Sequence, residues 1–180
     1  MTPTTLDQRR IRELVELAGE QLEGDWVLVG GALAALWFTP GRVTEGVDIA
    51  SVVDRPERRY ALLDFAIAAG LSPEVVNSAA DFFLRRIPGW EDDLEVLHLG
   101  SRARILRPTP TLFLMLKVGR MSEADLDDCL ALVAEARRRG WPIDVPRVVA
   151  QLEARASTGS TPADARRHDL RTVLETVRES

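Results

Sequence analysis

A short apolar run that ends at two glycines restricts the fold of this chain more than any other feature. Residues 26–29 (Trp-Val-Leu-Val) are continuously apolar, which is typical of a strand buried on both faces of a sheet. Gly30 and Gly31 follow, and residues 32–38 are again mostly apolar, at a length that fits a short buried helix. A strand that passes through two glycines into a buried helix predicts a domain that mixes helices with a sheet.

Hydrophobic periodicity and turn residues predict the remaining elements. An amphipathic helix is expected over residues 6–23, and a helix over residues 57–69 is expected to turn Tyr60, Leu63 and Ala66 (or Ile67) inward. The predicted strands after the first lie at residues 46–53, 81–87, 94–99 and 102–106, the last of them at a sheet edge. From Thr109 onward only helices are predicted, at residues 111–118, 123–140, 146–156 and 162–178.

These elements predict an α/β (α+β) fold with a mixed sheet flanked by helices and a helical C-terminal tail. The predicted domains are residues 1–140, which include the N-terminal helix, and a helical extension at residues 141–180. A single domain of this size buries enough surface to support its own core.

Composition excludes several classes of protein. The 180 residues include one cysteine and two histidines, too few for an internal disulfide or for a zinc site built from these residues alone. The formal net charge of −5 argues against an extended DNA-binding surface. Apolar runs are too short to span a membrane, and residues 1–7 resemble neither a secretion signal nor a transit peptide. A cytoplasmic protein with no membrane partner is therefore expected.

Two features in the first half of the chain suggest phosphate or metal chemistry. Glycines at a strand-to-helix turn let a ligand approach the backbone, and the N–H groups that begin a helix favour phosphate; paired glycines also occur in ordinary turns. Residues 42–48 (Arg-Val-Thr-Glu-Gly-Val-Asp) place Asp48 early in the second strand. Two carboxylates two positions apart on a strand can hold a pair of Mg²⁺ ions, but Gly46 occupies the first position. A single aspartate there also fits a solvated strand end.

A third feature is Lys117, the only lysine among 23 basic residues, which lies inside the apolar segment 112–118. A compact ammonium charge suits a triphosphate in a way that arginine does not reproduce. The alternative is a lysine whose stem lies along the core while its amine reaches water. Asp125 follows Ser122 by three positions, so the pair also matches a helix capping box.

In their order and spacing, these features resemble the nucleotidyltransferase superfamily, in particular its small bacterial members with a Gly-Gly start, which include toxin-type domains. The matching stretches are residues 27–32, 42–48, 94–97 and 112–128. The resemblance covers about residues 25–135 and implies a nucleotidyltransferase-like mixed sheet.

The resemblance also implies a role for each matched residue. Gly30 and Gly31 are expected to line the triphosphate of a bound NTP. Asp48 and Glu95 match metal-binding, catalytic carboxylates for Mg²⁺, and Glu95 is the expected base for the attacking hydroxyl. The other expected nucleotide-binding residues are Arg42, Thr44, Lys117, Arg120, Asp125 and Asp128.

Two departures from the family pattern decide the expected function. Gly46 stands where the first metal-binding aspartate is expected, and glutamate replaces aspartate at position 95. Loss of one carboxylate from a two-metal clamp weakens both cation binding and transition-state stabilisation. The sequence therefore predicts NTP and Mg²⁺ binding with weak or lost nucleotidyl transfer. Two alternatives stay open: an active toxin-type enzyme that transfers a nucleoside monophosphate to RNA, protein or a small molecule, and a non-catalytic scaffold for a protein partner such as an antitoxin.

Overall fold

The computed structural model of the protein describes residues 5–155 and 161–178. Within those ranges it contains eight α-helices, one 3-10 helix and five strands, which confirms the predicted α+β class. The chain divides into two compact units, Met1–Pro108 and Thr109–Ser180, whereas the sequence places the division at residue 140. The division falls earlier because the helix at 110–118 packs with the helices that follow it.

The first unit is built on a five-stranded mixed sheet. Its strands are β1 (Gly24–Val29), β2 (Val47–Ser51), β3 (Val76–Asn77), β4 (Leu94–Leu99) and β5 (Ala103–Pro108). The strand order is β3-β2-β1-β5-β4; β1 pairs antiparallel with β2 and parallel with β5. Residues 26–29 of β1 are buried, as expected for a central strand covered on both faces.

Four α-helices surround this sheet: α1 (Gln8–Gln21), α2 (Gly30–Trp37), α3 (Glu57–Ala68) and α4 (Ala80–Leu84). Asp7 begins α1, because its side chain accepts a hydrogen bond from the Arg10 N–H at 2.7 Å, the usual role of an aspartate N-cap. Helix α1 packs against β5, β4 and α2 through an apolar stripe that includes Ile11, Leu14 and Ala18.

The strand predicted at residues 81–87 is wrong, because this segment forms α4 and a turn. One helical turn brings Asp81 within 2.8 Å of Arg85, and Arg85 also donates to the Ser51 carbonyl at 3.0 Å. The first contact requires the four-residue spacing of a helix, and the second has its partner on β2. Neither contact can be predicted from the aromatic residues of the segment, which are common in strands.

The edge position predicted for the strand at residues 102–106 is also wrong. Strand β5 lies between β1 and β4, and its arginines are neutralised from both sides. Arg104 pairs with Asp25 on β1, and Arg107 pairs with Glu95 on β4. Cross-strand pairs of opposite charge stabilise neighbouring strands, so the alternating arginines belong to an internal strand.

Helix α3 is present as predicted, but of its residues that were expected to face inward only Ala66 is buried. Tyr60 is 72% exposed and Leu63 is 42% exposed, whereas Leu62, Phe65 and Ala66 are buried. The helix is apolar around most of its circumference from residue 60 onward. Periodicity therefore could not select which stripe packs inward.

The second unit consists of the helices α5 (Pro110–Val118), α6 (Glu123–Arg139), α7 (Val145–Arg155) and α8 (Pro162–Arg178), as predicted. The capping box predicted for α6 is present, with Ser122 and Asp125 bonding reciprocally to each other's backbone N–H. Gly140 ends α6 at a φ of +69°, a left-handed conformation that glycine adopts without strain. Buried side chains from all four helices, among them Leu112, Leu132, Val148 and Leu174, form the core of this unit.

No helix in residues 5–155 and 161–178 is long and apolar enough to cross a membrane.

Helix α1 and the β4–β5 turn approach closely at two glycines, which generates a test of the fold. A Cβ on Gly100 would lie 2.1 Å from the carbonyl oxygen of Gly19. We expect Gly100→Ala to lower the free energy of unfolding by about 2 kcal/mol or more, because backbone must move to admit the methyl group. Urea denaturation followed by circular dichroism measures the change.

Gly119→Ala is the matched control, since a Cβ there meets nothing within 4 Å and its φ is −62°. It is expected to leave stability unchanged or raise it by about 0.4–1 kcal/mol. Equal stabilities for the two variants would contradict the close approach at Gly100.

Candidate functional site

The candidate site of the first unit is the turn from β1 into α2. Gly30 has a φ of +70°, a conformation that most other residues avoid. Asp48 on β2 pairs with Val29 at the end of β1. A Cβ on Gly30 would lie 2.5 Å from Asp48 Oδ2, so the absence of a side chain at Gly30 makes room for this carboxylate.

The second glycine makes room for two further predicted residues. A Cβ on Gly31 would lie 3.1 Å from Thr44 Oγ1 and 3.3 Å from a terminal nitrogen of Arg42. Thr44 is held in place by a backbone bridge to Leu6, with N···O distances of 2.7 and 3.0 Å, and its hydroxyl donates to the Gly46 carbonyl at 3.3 Å. The structure therefore groups Arg42, Thr44 and Asp48 around the two glycines.

Opposite charges meet at this turn. Helix α2 begins at Gly30 without a side-chain N-cap hydrogen bond from Val29, and its N-terminus has a partial positive charge. The Arg42 guanidinium adds a full positive charge beside Gly31, while the Asp48 carboxylate lies beside Gly30. The side chains of Arg42, Thr44 and Asp48 are all partly exposed. An anion can therefore approach the helix N-terminus and Arg42, and a cation can approach Asp48.

A two-metal site does not fit the residues around Asp48. At Gly46, a Cβ would lie 3.2 Å from the Val75 carbonyl oxygen and 4.0 Å from Asn77 Nδ2, so the space of the missing carboxylate faces β3. Among the described residues, no group of three or more His, Cys, Asp or Glu side chains could hold a metal ion.

Glu95 lies apart from Asp48. It is on the edge strand β4, and β1 and β5 separate this strand from β2, a lateral distance of about 14 Å at ordinary strand spacing. Glu95 forms an ion pair with Arg107, whose guanidinium stacks 4.0 Å from the centroid of Trp37. The expected joint metal role of Asp48 and Glu95 stays a prediction, and this geometry weighs against it.

The other four predicted site residues, Lys117, Arg120, Asp125 and Asp128, lie in the second unit, where the two aspartates contact the single lysine. Lys117 Nζ lies 3.0 Å from Asp125 Oδ1 and 2.9 Å from Asp128 Oδ2. The side chain of Lys117 is 11% exposed, and each aspartate side chain is 1% exposed. Lys117 is thus the shared counterion of two buried carboxylates.

Asp125 is also held from a second side. The Arg120 guanidinium donates two hydrogen bonds to it at 2.7 and 2.8 Å, and the Ser122 N–H and hydroxyl donate at 3.0 and 2.8 Å. Burial alone raises the pKa of Asp125, but the hydrogen bonds from Arg120, the charge of Lys117 and the hydroxyl of Ser122 outweigh it and hold the pKa well below its usual value.

Cys129 completes the buried surroundings of this cluster. Burial raises the pKa of its thiol to about 12, although the charge of Lys117 opposes this shift. A thiol that stays protonated is a poor nucleophile, which agrees with the placement of Cys129 in the core of the second unit.

The cluster of Lys117, Asp125 and Asp128 has a structural role that sequence reasoning missed. The available signal was a lone lysine in an apolar helix followed by two aspartates three residues apart on the next helix. That spacing places both carboxylates on one helical face, where one amine can reach both. The predicted nucleotide contacts of these residues and of Arg120 stay predictions.

We expect Lys117→Met to destabilise the protein by about 3–5 kcal/mol, because two buried carboxylates then lose a shared counterion. Thermal unfolding at neutral pH measures the loss. Lys117→Met combined with Asp128→Asn is expected to recover part of it, since one of the uncompensated charges is removed. A Lys117→Met variant as stable as the wild type would contradict the role assigned to this lysine.

Comparison of the chain with protein-family models, with curated proteins and with solved structures found no significant match.

Proposed function

We propose that this chain is a nucleotidyltransferase-like protein that binds an NTP together with Mg²⁺ and has weak or no nucleotidyl-transfer activity. The supporting observation is the grouping of Gly30, Gly31, Arg42, Thr44 and Asp48 at the β1–α2 turn. These residues are 18 positions apart along the chain at most. The resemblance to the superfamily assigns the two glycines to the triphosphate, Asp48 to the metal, and Arg42 and Thr44 to the nucleotide.

In the proposed complex, the phosphates approach the first N–H groups of α2 and the Arg42 guanidinium. Backbone N–H groups at a helix start and a guanidinium are both strong phosphate donors. The space that side chains at Gly30 and Gly31 would fill is taken by Asp48, Thr44 and Arg42, which brings Arg42 next to the helix N-terminus. Thr44 offers a hydroxyl beside the same turn.

A single Mg²⁺ that arrives bound to the triphosphate fits this site, since such ions are commonly held by one or two carboxylates together with substrate phosphates. Asp48 is the residue that would hold it, and the ion would neutralise phosphate charge. A second ion has no carboxylate pair to hold it, because Gly46 supplies none and Glu95 lies on a strand that is not adjacent to β2.

The incomplete carboxylate set is the reason to propose weak transfer. Efficient phosphoryl transfer relies on paired charges that stabilise both the attacking and the leaving oxygen. Removal of one such group commonly costs several kcal/mol of transition-state stabilisation, which is about a hundredfold or more in rate. An active toxin-type transferase and a protein-binding scaffold are the alternatives that the test separates.

Calorimetric titration of each of the four NTPs, with and without Mg²⁺, tests this proposal. We expect binding in the micromolar to millimolar range that Mg²⁺ strengthens in the wild type but not in Asp48→Asn. Arg42→Ala is expected to weaken binding at least tenfold, because it removes a charge-assisted phosphate contact. The control is Glu45→Gln, which removes a negative charge from an exposed residue of the same loop and is expected to bind like the wild type.

The remaining outcomes separate the alternatives. Turnover of an NTP that requires Mg²⁺ and is lost in Asp48→Asn would establish an active transferase. The absence of any NTP binding by a folded wild-type protein would overturn the proposal in favour of a scaffold.

A further inference from the structure

We infer a second anion site in the first unit, specific for a phosphate group, in a pocket lined by four arginines. This arginine pocket is a small, solvent-open cleft beside the end of β2, and its Arg55 and Arg59 are exposed. Its charged lining residues are Arg55, Arg58, Arg59, Arg85, Asp54 and Asp81.

Two segments supply the arginines. Arg55 precedes α3, Arg58 and Arg59 lie in the first turn of α3, and Arg85 follows α4. The first turn of α3 adds the positive end of a 12-residue helix, which begins at Pro56 without a side-chain cap. The fold therefore brings Arg85 to a local run of three arginines at the start of α3.

The two aspartates of the pocket are both directed to one arginine. Asp81 lies 2.8 Å from Arg85, and Asp54 lies 4.0 Å from the same guanidinium. In the part of the chain that the structure describes, neither Arg55 nor Arg59 takes part in an ion pair, and Arg58 has no carboxylate partner.

Arg58 is nevertheless fixed in place. Its guanidinium donates to the carbonyl oxygen of Glu23 and lies 5.8 Å from the centroid of the buried Trp26 ring. These neutral contacts hold the side chain without cancelling its charge. A guanidinium that is positioned in advance loses less conformational freedom when it binds a ligand.

A surplus of positive charge at one place requires an explanation in a chain whose net charge is −5. Unpaired guanidiniums that line one pocket repel each other, and an anion relieves this repulsion. Planar guanidiniums bind phosphate oxygens in a bidentate fashion, and three unneutralised arginines match the charge of a diphosphate. The ligand class is therefore a phosphate or diphosphate group, either in a small molecule or at a 5′-phosphorylated nucleic-acid end.

The arginine pocket is separate from the site at the β1–α2 turn. Ser51, which lines the pocket, ends β2, whereas Asp48 lies near the start of that strand. Three residues of extended strand place them about 10 Å apart. The inference therefore does not depend on the proposed nucleotide site.

The test is calorimetric titration of inorganic phosphate, inorganic pyrophosphate and a short 5′-phosphorylated single-stranded RNA into the full-length protein at low salt. We expect saturable pyrophosphate binding that becomes at least tenfold weaker when Arg55→Gln and Arg59→Gln are combined. The matched control combines Arg9→Gln and Arg12→Gln on exposed positions of α1; it makes the same charge change and is expected to bind like the wild type. Tighter binding of the phosphorylated RNA than of pyrophosphate would identify a nucleic-acid end as the source of the phosphate.

Arg42→Ala distinguishes the two sites. Pyrophosphate binding that persists in Arg42→Ala and is lost in the Arg55/Arg59 double variant supports the arginine pocket, whatever the fate of NTP binding at the β1–α2 turn. Loss in Arg42→Ala with retention in the double variant would overturn the inference. The same holds for equal weakening by the Arg9/Arg12 control, or for no saturable binding of any of the three probes.

Discussion

The backbone conformation of Gly30 is the constraint on which the candidate site depends. Strand β1 is the centre of the sheet, and a φ of +70° at its end directs the chain at once into α2. The same missing side chain admits the Asp48 carboxylate from β2. One glycine thus sets the direction of a buried helix and brings an acidic group to its positive end.

The second unit depends on a buried cluster of opposite charges. Two aspartates and a lysine are removed from water together, at distances of 2.9 and 3.0 Å. Such a cluster adds little stability compared with apolar packing. Removal of one member nevertheless destabilises the protein strongly, because a buried charge is left without its partner. The only lysine of the chain therefore has a sufficient structural reason for its presence, whatever further contacts it makes.

Local signals in the sequence predicted a large part of the fold. The apolar run before Gly30 and the capping box of Ser122 and Asp125 depend on residues a few positions apart, and both are present as predicted. The incorrect predictions concern segments whose structure depends on residues that are distant in the sequence. Arg85 reaches the Ser51 carbonyl across 34 positions, and the arginines of β5 find carboxylates on two neighbouring strands, neither of which a local pattern reveals.

The candidate site was predictable to a similar extent. The segment at residues 42–48 and the two glycines indicated one site. The structure places the side chains of Arg42, Thr44 and Asp48 beside the two glycines. Glu95 was assigned through the resemblance alone, and the strand order that separates it from Asp48 is a property of the whole sheet. The arginine pocket gave no motif, because a run of arginines at residues 55–59 fits a solvated helix start and only the fold brings Arg85 beside it.

Amide nuclear magnetic resonance of the ¹⁵N-labelled protein, titrated with ATP and Mg²⁺, tests the central claim most directly. If phosphates bind at the start of α2, the largest shift changes must occur at the amides of Gly30, Gly31 and Ala32, with smaller ones at Thr44. Changes concentrated elsewhere, or none at millimolar ATP, would contradict the account of the β1–α2 turn as a nucleotide site.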